Sequence, residues 1–124
     1  MITSCKMTCS EGDEVQTMSE EVIESRRGIL DLLLSDHRAD CFSCEANGDC
    51  KLQEYCFEYG IETTSYEGAV NDTCVDDSNK FFTYDQSKCI LCHRCVNTCH
   101  EIVGRGAIDT VNRGFNSVIG AHYE

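Results

Sequence analysis

Proline is absent from this chain of 124 residues, and basic side chains are few, with 10 Lys and Arg against 22 Asp and Glu. Nothing in the sequence accounts for the missing proline. The acidic excess gives a formal net charge of -12 and argues against a nucleic-acid partner, because phosphate binding needs clustered Lys and Arg. Such a surface favours a basic docking face on a partner protein, or serves only to keep the chain solvated.

Long apolar segments are also lacking. The longest run, residues 29–34, is interrupted by Asp31 and is too short to cross a bilayer. The first ten residues have no apolar stretch of the kind found in secretory signals. We therefore expect a cytoplasmic protein without a membrane span. Thiols in that reducing compartment bind metals more often than they form disulfides.

Cysteine, in contrast, is abundant, with eleven residues in the chain, and four of them form a Cys-x2-Cys-x2-Cys-x3-Cys run. This spacing is typical of bacterial-type ferredoxin loops that hold 4Fe-4S clusters, whereas zinc sites usually separate two cysteine pairs by a dozen or more residues. The run comprises Cys89, Cys92, Cys95 and Cys99.

The spacing does not determine which residue is the fourth ligand of this cluster, because in two-cluster ferredoxins the last cysteine of such a run binds the other cluster. No second run follows before residue 124. Cys99 closes the same cluster, or Cys74 or Cys56 supplies the ligand, or the chain is part of a larger unit that completes it. We favour the last alternative.

A second set of candidate ligands is His37-x3-Cys41-x2-Cys44-x5-Cys50. Apolar residues at helical spacing predict a helix over residues 20–35 whose core-packing side is formed by Val22, Ile23, Ile29, Leu30, Leu33 and Leu34. His37 and Cys41 follow the end of this helix, which can direct both toward one point. These residues can hold a 4Fe-4S cluster through one imidazole and three thiolates. A zinc knuckle is the alternative. A neutral imidazole in place of a thiolate should raise the potential of the cluster.

The remaining patterns predict short elements. We expect a brief strand at residues 14–17, a helix over 51–59 stopped by Gly60, and a helix from Cys99 to Val103. Residues 107–111 and 115–119 are expected to pair as a hairpin. The predicted fold class is α+β, with small iron-sulfur-cluster-organised modules of short helices and short hairpins. Cys56 on the second helix is expected to be a buried apolar residue, and Cys9 and Cys74 to bind nothing.

These segments together resemble a known family. Residues 26–37, Cys41, Cys44 and residues 47–55 resemble the 4Fe-4S domain with one histidine and three cysteine ligands. That domain occurs in the G-type subunit of NADH dehydrogenases, in iron-only hydrogenases and in formate dehydrogenase alpha subunits. Residues 76–82, 85–92 and 112–115 are also similar to this group, and the formate dehydrogenase alpha subunit looks closest.

The resemblance implies a domain order. It places a remnant of a 2Fe-2S ferredoxin-like domain at residues 1–17, the 4Fe-4S domain at 18–62, a connecting loop at 63–84 and a partial ferredoxin-type 4Fe-4S domain at 85–124. Cys5 looks like the last ligand of a 2Fe-2S site whose other ligands are missing, so that cluster is doubtful. We expect a partial chain or a stand-alone remnant.

The function that follows is an electron relay within a larger oxidoreductase of the formate dehydrogenase, NADH dehydrogenase or hydrogenase type. The expected partners are other subunits or domains of a redox complex, with no small-molecule substrate. The sequence holds no catalytic domain that this family uses. A zinc-stabilised interaction or regulatory module is the alternative function.

Overall fold

The longest regular element is helix α1, Glu20–Ser35, where the sequence predicted it. The computed structural model describes residues 7–71 and 75–121, so Cys5 and Cys74 lie outside the described residues. Glu20 and Glu21 occupy the first turn of α1, where the positive end of the helix dipole favours carboxylates. The expected strand at residues 14–17 is wrong, since this segment is irregular and its side chains are exposed.

The main core forms between α1 and helix α2, Lys51–Glu58. Leu30 from α1 is buried against Leu52 and Cys56 from α2, and Leu33 and Leu34 pack beside them. The expected burial of Cys56 is therefore confirmed. The apolar periodicity also predicted burial of Ile29, but 56% of this residue is exposed.

Helix α2 ends in a turn that places one more side chain in this core. Gly60 has a φ of 65°, a conformation that glycine adopts without steric cost. The N–H of Ile61 donates to the Cys56 carbonyl at 2.8 Å, and the N–H of Gly60 donates to the Phe57 carbonyl at 3.2 Å. This is the Schellman pattern, in which the residue after the glycine packs back onto the helix. Ile61 accordingly packs against the core.

The second half of the chain contains helix α3 and two small antiparallel sheets. Helix α3, Arg94–Asn97, begins inside the cysteine run and continues as a π-helical turn over Thr98–Ile102, so the helix expected after Cys99 starts earlier than predicted. Strand β1, Val75–Asp76, pairs with β2, Tyr84–Asp85. Strand β3, Ile108–Val111, pairs with β4, Val118–Ala121, with Ile108 opposite Ala121.

The predicted hairpin is thus confirmed, but its second strand begins three residues later than expected. The delay arises because Gly114–Asn116 form a 3-10 turn, which leaves Phe115 in the connection. Val96 of α3 and Ile119 of β4 are the buried apolar residues described in this half. The mixture of short helices and small hairpins confirms the α+β class.

Several side-chain contacts join the halves. Ile90, which follows Cys89 in sequence, packs against the core formed by α1 and α2. The Asn71 side chain donates to the Asp36 carboxylate at 2.8 Å and to the Phe115 carbonyl at 2.7 Å, so it links the end of α1 to the β3–β4 connection. Among the described residues, no helix is long and apolar enough to cross a membrane.

Candidate metal centres

The four predicted ligands of the upstream centre border one cavity of about 500 Å³. His37 follows the end of α1, Cys41 opens the 3-10 turn Cys41–Ser43, and Cys50 is the N-cap of α2. The fourth is Cys44, at the end of that turn. Three separate elements therefore present these side chains to a common space.

The loop between Cys44 and Cys50 is held by a side chain from α2. Gln53 accepts a hydrogen bond from the N–H of Gly48 at 3.1 Å, and its own amide donates to the Asn47 side chain at 3.0 Å. Gly48 has a φ of 83°, which glycine adopts more easily than other residues. Helix α2, for which Cys50 is the N-cap, therefore also fixes the loop that precedes it.

His37 has the properties of a metal ligand. Its Nδ1 atom is buried and makes no hydrogen bond within the described part of the chain. Burial lowers the pKa of His37, and the nearby Lys88 charge lowers it further, while Asp40 acts in the opposite direction. A lowered pKa keeps the imidazole neutral at physiological pH, which is the form that binds metals. A buried, unpaired nitrogen beside three thiols thus fits a metal centre.

The cavity has room for a group larger than a single metal ion. Its volume of about 500 Å³ greatly exceeds the ~30 Å³ that one water molecule occupies in the liquid. Within residues 7–71 and 75–121, no three or more His, Cys, Asp or Glu side chains are close enough together to hold one metal ion. Ligands arranged around a wide space suit a multi-iron cluster, in which each iron takes one protein ligand.

Cys56 also borders this cavity, although the sequence did not predict it there. Burial raises the pKa of the Cys56 thiol, and the neighbouring Cys41 and Cys50 raise it further. The Cys56 side chain is buried against Leu30 and Leu52 in the core between α1 and α2. The structure therefore supports the packing role expected for Cys56. Cys9 is exposed.

The downstream cysteine run forms a tightly curved loop. Leu91 and His93 have φ values of 53° and 58°, in the left-handed region that non-glycine residues seldom adopt. Left-handed residues that alternate with other conformations turn successive N–H groups toward one side and create an anion-binding concavity. One such group, the N–H of Leu91, donates to the Cys89 sulfur at 3.4 Å.

The four thiols of this run differ in environment. Cys92 and Cys95 are exposed, whereas Cys89 and Cys99 are half-buried. The Cys99 sulfur accepts a hydrogen bond from the N–H of Ala107 at 3.3 Å, which orients it toward the segment leading into β3. Cys95 lies on α3 and Cys99 on the π-helical turn that follows.

Tyr84 connects this loop to the β3–β4 hairpin. Its hydroxyl donates to the Ile119 carbonyl at 3.2 Å. Burial raises the pKa of Tyr84 to about 12, and the adjacent Cys89 and Cys95 thiolates contribute to the shift. The phenol therefore stays neutral beside two candidate ligands. Spacing alone did not identify Tyr84, because the contact depends on the fold.

Two family models match the chain in these regions. One describes the NADH-ubiquinone oxidoreductase-G iron-sulfur binding region and matches residues 26–65. The other describes the ferredoxin-like domain of NADH-quinone oxidoreductase subunit 3 and matches residues 80–124. Residues 26–65 and 80–124 thus match two iron-sulfur domain families of NADH dehydrogenases. The family expected from the sequence is therefore confirmed, and with it iron-sulfur clusters as the type of cofactor.

Relatives in the family are subunits of several oxidoreductases. The chain is 36% identical over 121 residues to the NADP-reducing hydrogenase subunit HndD of Solidesulfovibrio fructosivorans, covering 98% of this chain and 21% of that protein. It is 36% identical over 118 residues to the NADPH-Fe(3+) oxidoreductase subunit alpha of Geobacter sulfurreducens, covering 95% of this chain and 14% of that protein. The chain thus spans a minor part of the length of these relatives.

A solved structure shares the fold. It is a crystal structure of an NAD+-reducing [NiFe]-hydrogenase in the H2-reduced state, with a TM-score of 0.89 and 28% sequence identity. The match covers 98% of this chain and 51% of the hydrogenase chain. These matches confirm the expected class, an iron-sulfur electron-transfer module. The particular likeness to formate dehydrogenase stays a prediction.

Proposed function

We propose that this chain relays single electrons between two iron-sulfur centres. In the upstream centre, His37, Cys41, Cys44 and Cys50 hold a 4Fe-4S cluster. In the downstream centre, Cys89, Cys92 and Cys95 hold a second 4Fe-4S cluster, with Cys99 or a thiol from outside these 124 residues as the fourth ligand. The observation that carries the proposal is the common cavity bordered by all four upstream ligands.

A bound 4Fe-4S cluster accepts and releases one electron at a time. The residues of the chain bind the clusters, exclude water from them and supply hydrogen bonds that set their potentials. Leu52 and Ile61 form apolar parts of the upstream cavity wall. The Leu91 N–H faces the Cys89 sulfur in the downstream loop, where it favours the more negative, reduced state.

The partners in this proposal are other subunits or domains of a redox complex. The named relatives are subunits, and the acidic net charge of -12 favours a basic docking face on the partner. No small-molecule substrate is assigned to this segment, and donor and acceptor are supplied by the assembly.

The proposal is tested by analysing anaerobically purified protein. We expect a brown protein with about eight iron and eight sulfide per chain and two EPR signals after reduction. Cys41→Ser should remove the upstream signal only and Cys92→Ser the downstream signal only, with Cys9→Ser as the matched control that removes neither. Cys99→Ser should remove the downstream signal if Cys99 is the fourth ligand, and should leave it if that ligand is a thiol from outside these residues. Colourless protein with stoichiometric zinc and no acid-labile sulfide would refute the electron-transfer function.

A further inference from the structure

Two phenylalanine side chains beside the upstream cavity are open to solvent. Phe42 lies in the turn between the proposed ligands Cys41 and Cys44 and is fully exposed, and Phe57 on α2 is 90% exposed. Both border the cavity that the four proposed ligands share. Large apolar side chains that are exposed together mark protein–protein interaction sites, whereas single ones are ordinary on any surface.

The area of the two rings fits a transient redox contact. An aromatic side chain buries about 150–250 Å², so the two rings together offer roughly 300–500 Å². Weak electron-transfer complexes bury less than about 1,200 Å² in total, which is about 600 Å² on each partner. Phe42 and Phe57 can therefore form most of the apolar centre of such an interface, and they are too small for that of an obligate one.

An acidic depression adjoins the upstream cavity on the side of α1. It has a volume of about 880 Å³ and shares residues 60–62 with the border of the cavity. Four carboxylates and one guanidinium border this first depression, from Glu20, Glu24, Asp31, Glu62 and Arg27. The first depression therefore carries a clear excess of negative charge.

A second acidic depression adjoins the cavity at the start of α2. It has a volume of about 550 Å³ and shares Cys50, Gln53 and Phe57 with the border of the cavity. Its charged side chains are Asp49, Glu54 and Lys51, and Lys51 forms a salt bridge with Glu54. Asp49 therefore leaves this second depression negative as well.

These charges determine which kind of protein surface fits the face. An apolar centre with acidic sides is complementary to an apolar centre flanked by Lys and Arg, and such complementarity also steers the two proteins together. The cavity border adds one further charge of each sign, from Arg38 and Asp40. A second copy of this chain does not fit, because each copy carries a net charge of -12 and two acidic faces repel each other.

We propose that Phe42, Phe57 and the two acidic depressions form a docking face for a redox partner whose contact surface has an apolar centre flanked by Lys and Arg. Phe42 directly follows the ligand Cys41, so a partner on this face lies next to the turn that binds the cluster. One electron passes from the reduced cluster to the redox group of the partner, and no bond forms or breaks. This inference rests on the proposed function, since a cluster must be bound at the upstream centre.

The test uses ferric cytochrome c, a basic haem protein, as the probe. Reduced holoprotein is mixed with it anaerobically, and stopped-flow absorption gives the second-order rate constant for reduction of the haem. Phe42→Ala and Phe57→Ala should each lower this rate constant by on the order of tenfold, as for truncation of a central interface residue. Phe81→Ala is the matched control, since Phe81 is 83% exposed but borders neither the cavity nor the depressions, and it should leave the rate unchanged.

A charge reversal tests the acidic sides of the face without changing a residue next to a ligand. Glu62→Lys should lower the rate constant by roughly threefold or more at low ionic strength, and salt should reduce the difference because it screens the charges. Asp77→Lys makes the same change in net charge at an exposed residue that borders neither the cavity nor the depressions. Equal effects of both substitutions would overturn the proposal, because net charge alone would then set the rate.

The outcomes distinguish this inference from the proposed function. If the wild-type protein gives no upstream EPR signal, the proposed function fails before any rate is compared. If the signal is present and all variants reduce cytochrome c at the wild-type rate, only the docking face is refuted. Should Phe42→Ala fail to assemble its cluster, Phe57→Ala and Glu62→Lys still decide the matter.

Light scattering tests the other possible occupant, a second copy of the chain. We expect the wild-type holoprotein to be monomeric, because its acidic faces repel each other. A wild-type dimer that becomes monomeric in Phe57→Ala would overturn the proposal, because it would show that a second copy covers the face.

Discussion

Replacing Leu30 by Ala tests whether the small core of α1 and α2 supports the upstream centre. Leu30 is 8% exposed and packs against Leu52, whose side chain also borders the ligand cavity. Burial of this kind makes Leu→Ala substitutions cost about 2–5 kcal/mol. Because several neighbours of Leu30 are only half-buried and can relax into the space, we expect the lower end, about 2–3 kcal/mol.

The assay is urea unfolding of the anaerobic holoprotein, followed by visible absorption of the clusters. With a typical slope of about 1–3 kcal/mol per molar urea, the midpoint should fall by roughly 0.7–3 M. The upstream EPR signal should disappear at lower urea than the downstream signal, since Leu30 contacts the wall of the upstream cavity.

Leu32→Ala is the control within the same helix. Leu32 is 56% exposed, so the same chemical change should alter the free energy of unfolding by less than about 0.5 kcal/mol. Equal destabilisation by both substitutions would refute the reasoning, because it would mean that burial against α2 does not determine the contribution of Leu30.

Three further predictions concern the centres themselves. His37→Cys should keep a cluster but lower its potential in a redox titration, because a thiolate adds negative charge that neutral imidazole lacks; an unchanged or higher potential would count against ligation by His37. The pKa of Tyr84 is raised to about 12, so its stabilising contribution is complete below the unfolded value of 10 and is lost as the pH rises toward 12. An alkaline absorbance titration should show a late tyrosine phase that is missing in Tyr84→Phe, and the absence of that phase from the wild-type protein would contradict the burial of Tyr84. Removal of iron by anaerobic chelation should abolish most of the helical circular dichroism, because only five buried apolar residues are described; an unchanged spectrum would show that side chains suffice.

Local patterns predicted the regular elements best where the physical signal is short-range. The charges at the start of α1, its apolar spacing and Gly60 after α2 depend on neighbours within one or two helical turns. The late start of β4 was missed because the 3-10 turn at residues 114–116 takes up chain that the pattern assigned to a strand. The exposure of Ile29 was not predicted, because apolar periodicity does not determine which side of a helix the other elements of the fold cover.

The order of residues along the chain is sufficient to predict iron-sulfur chemistry for this protein. Thiol and imidazole spacing is a local property of the chain and predicted two sets of ligands, and the resemblance of longer segments pointed to the iron-sulfur family. Tertiary structure decided how these sets are surrounded and joined. Ile90 packs against the core beside the upstream cavity, and Lys88 of the downstream loop forms a salt bridge with Asp40 of the upstream loop. Such contacts depend on where distant segments meet in space, because charge and packing act through distance and not through sequence separation.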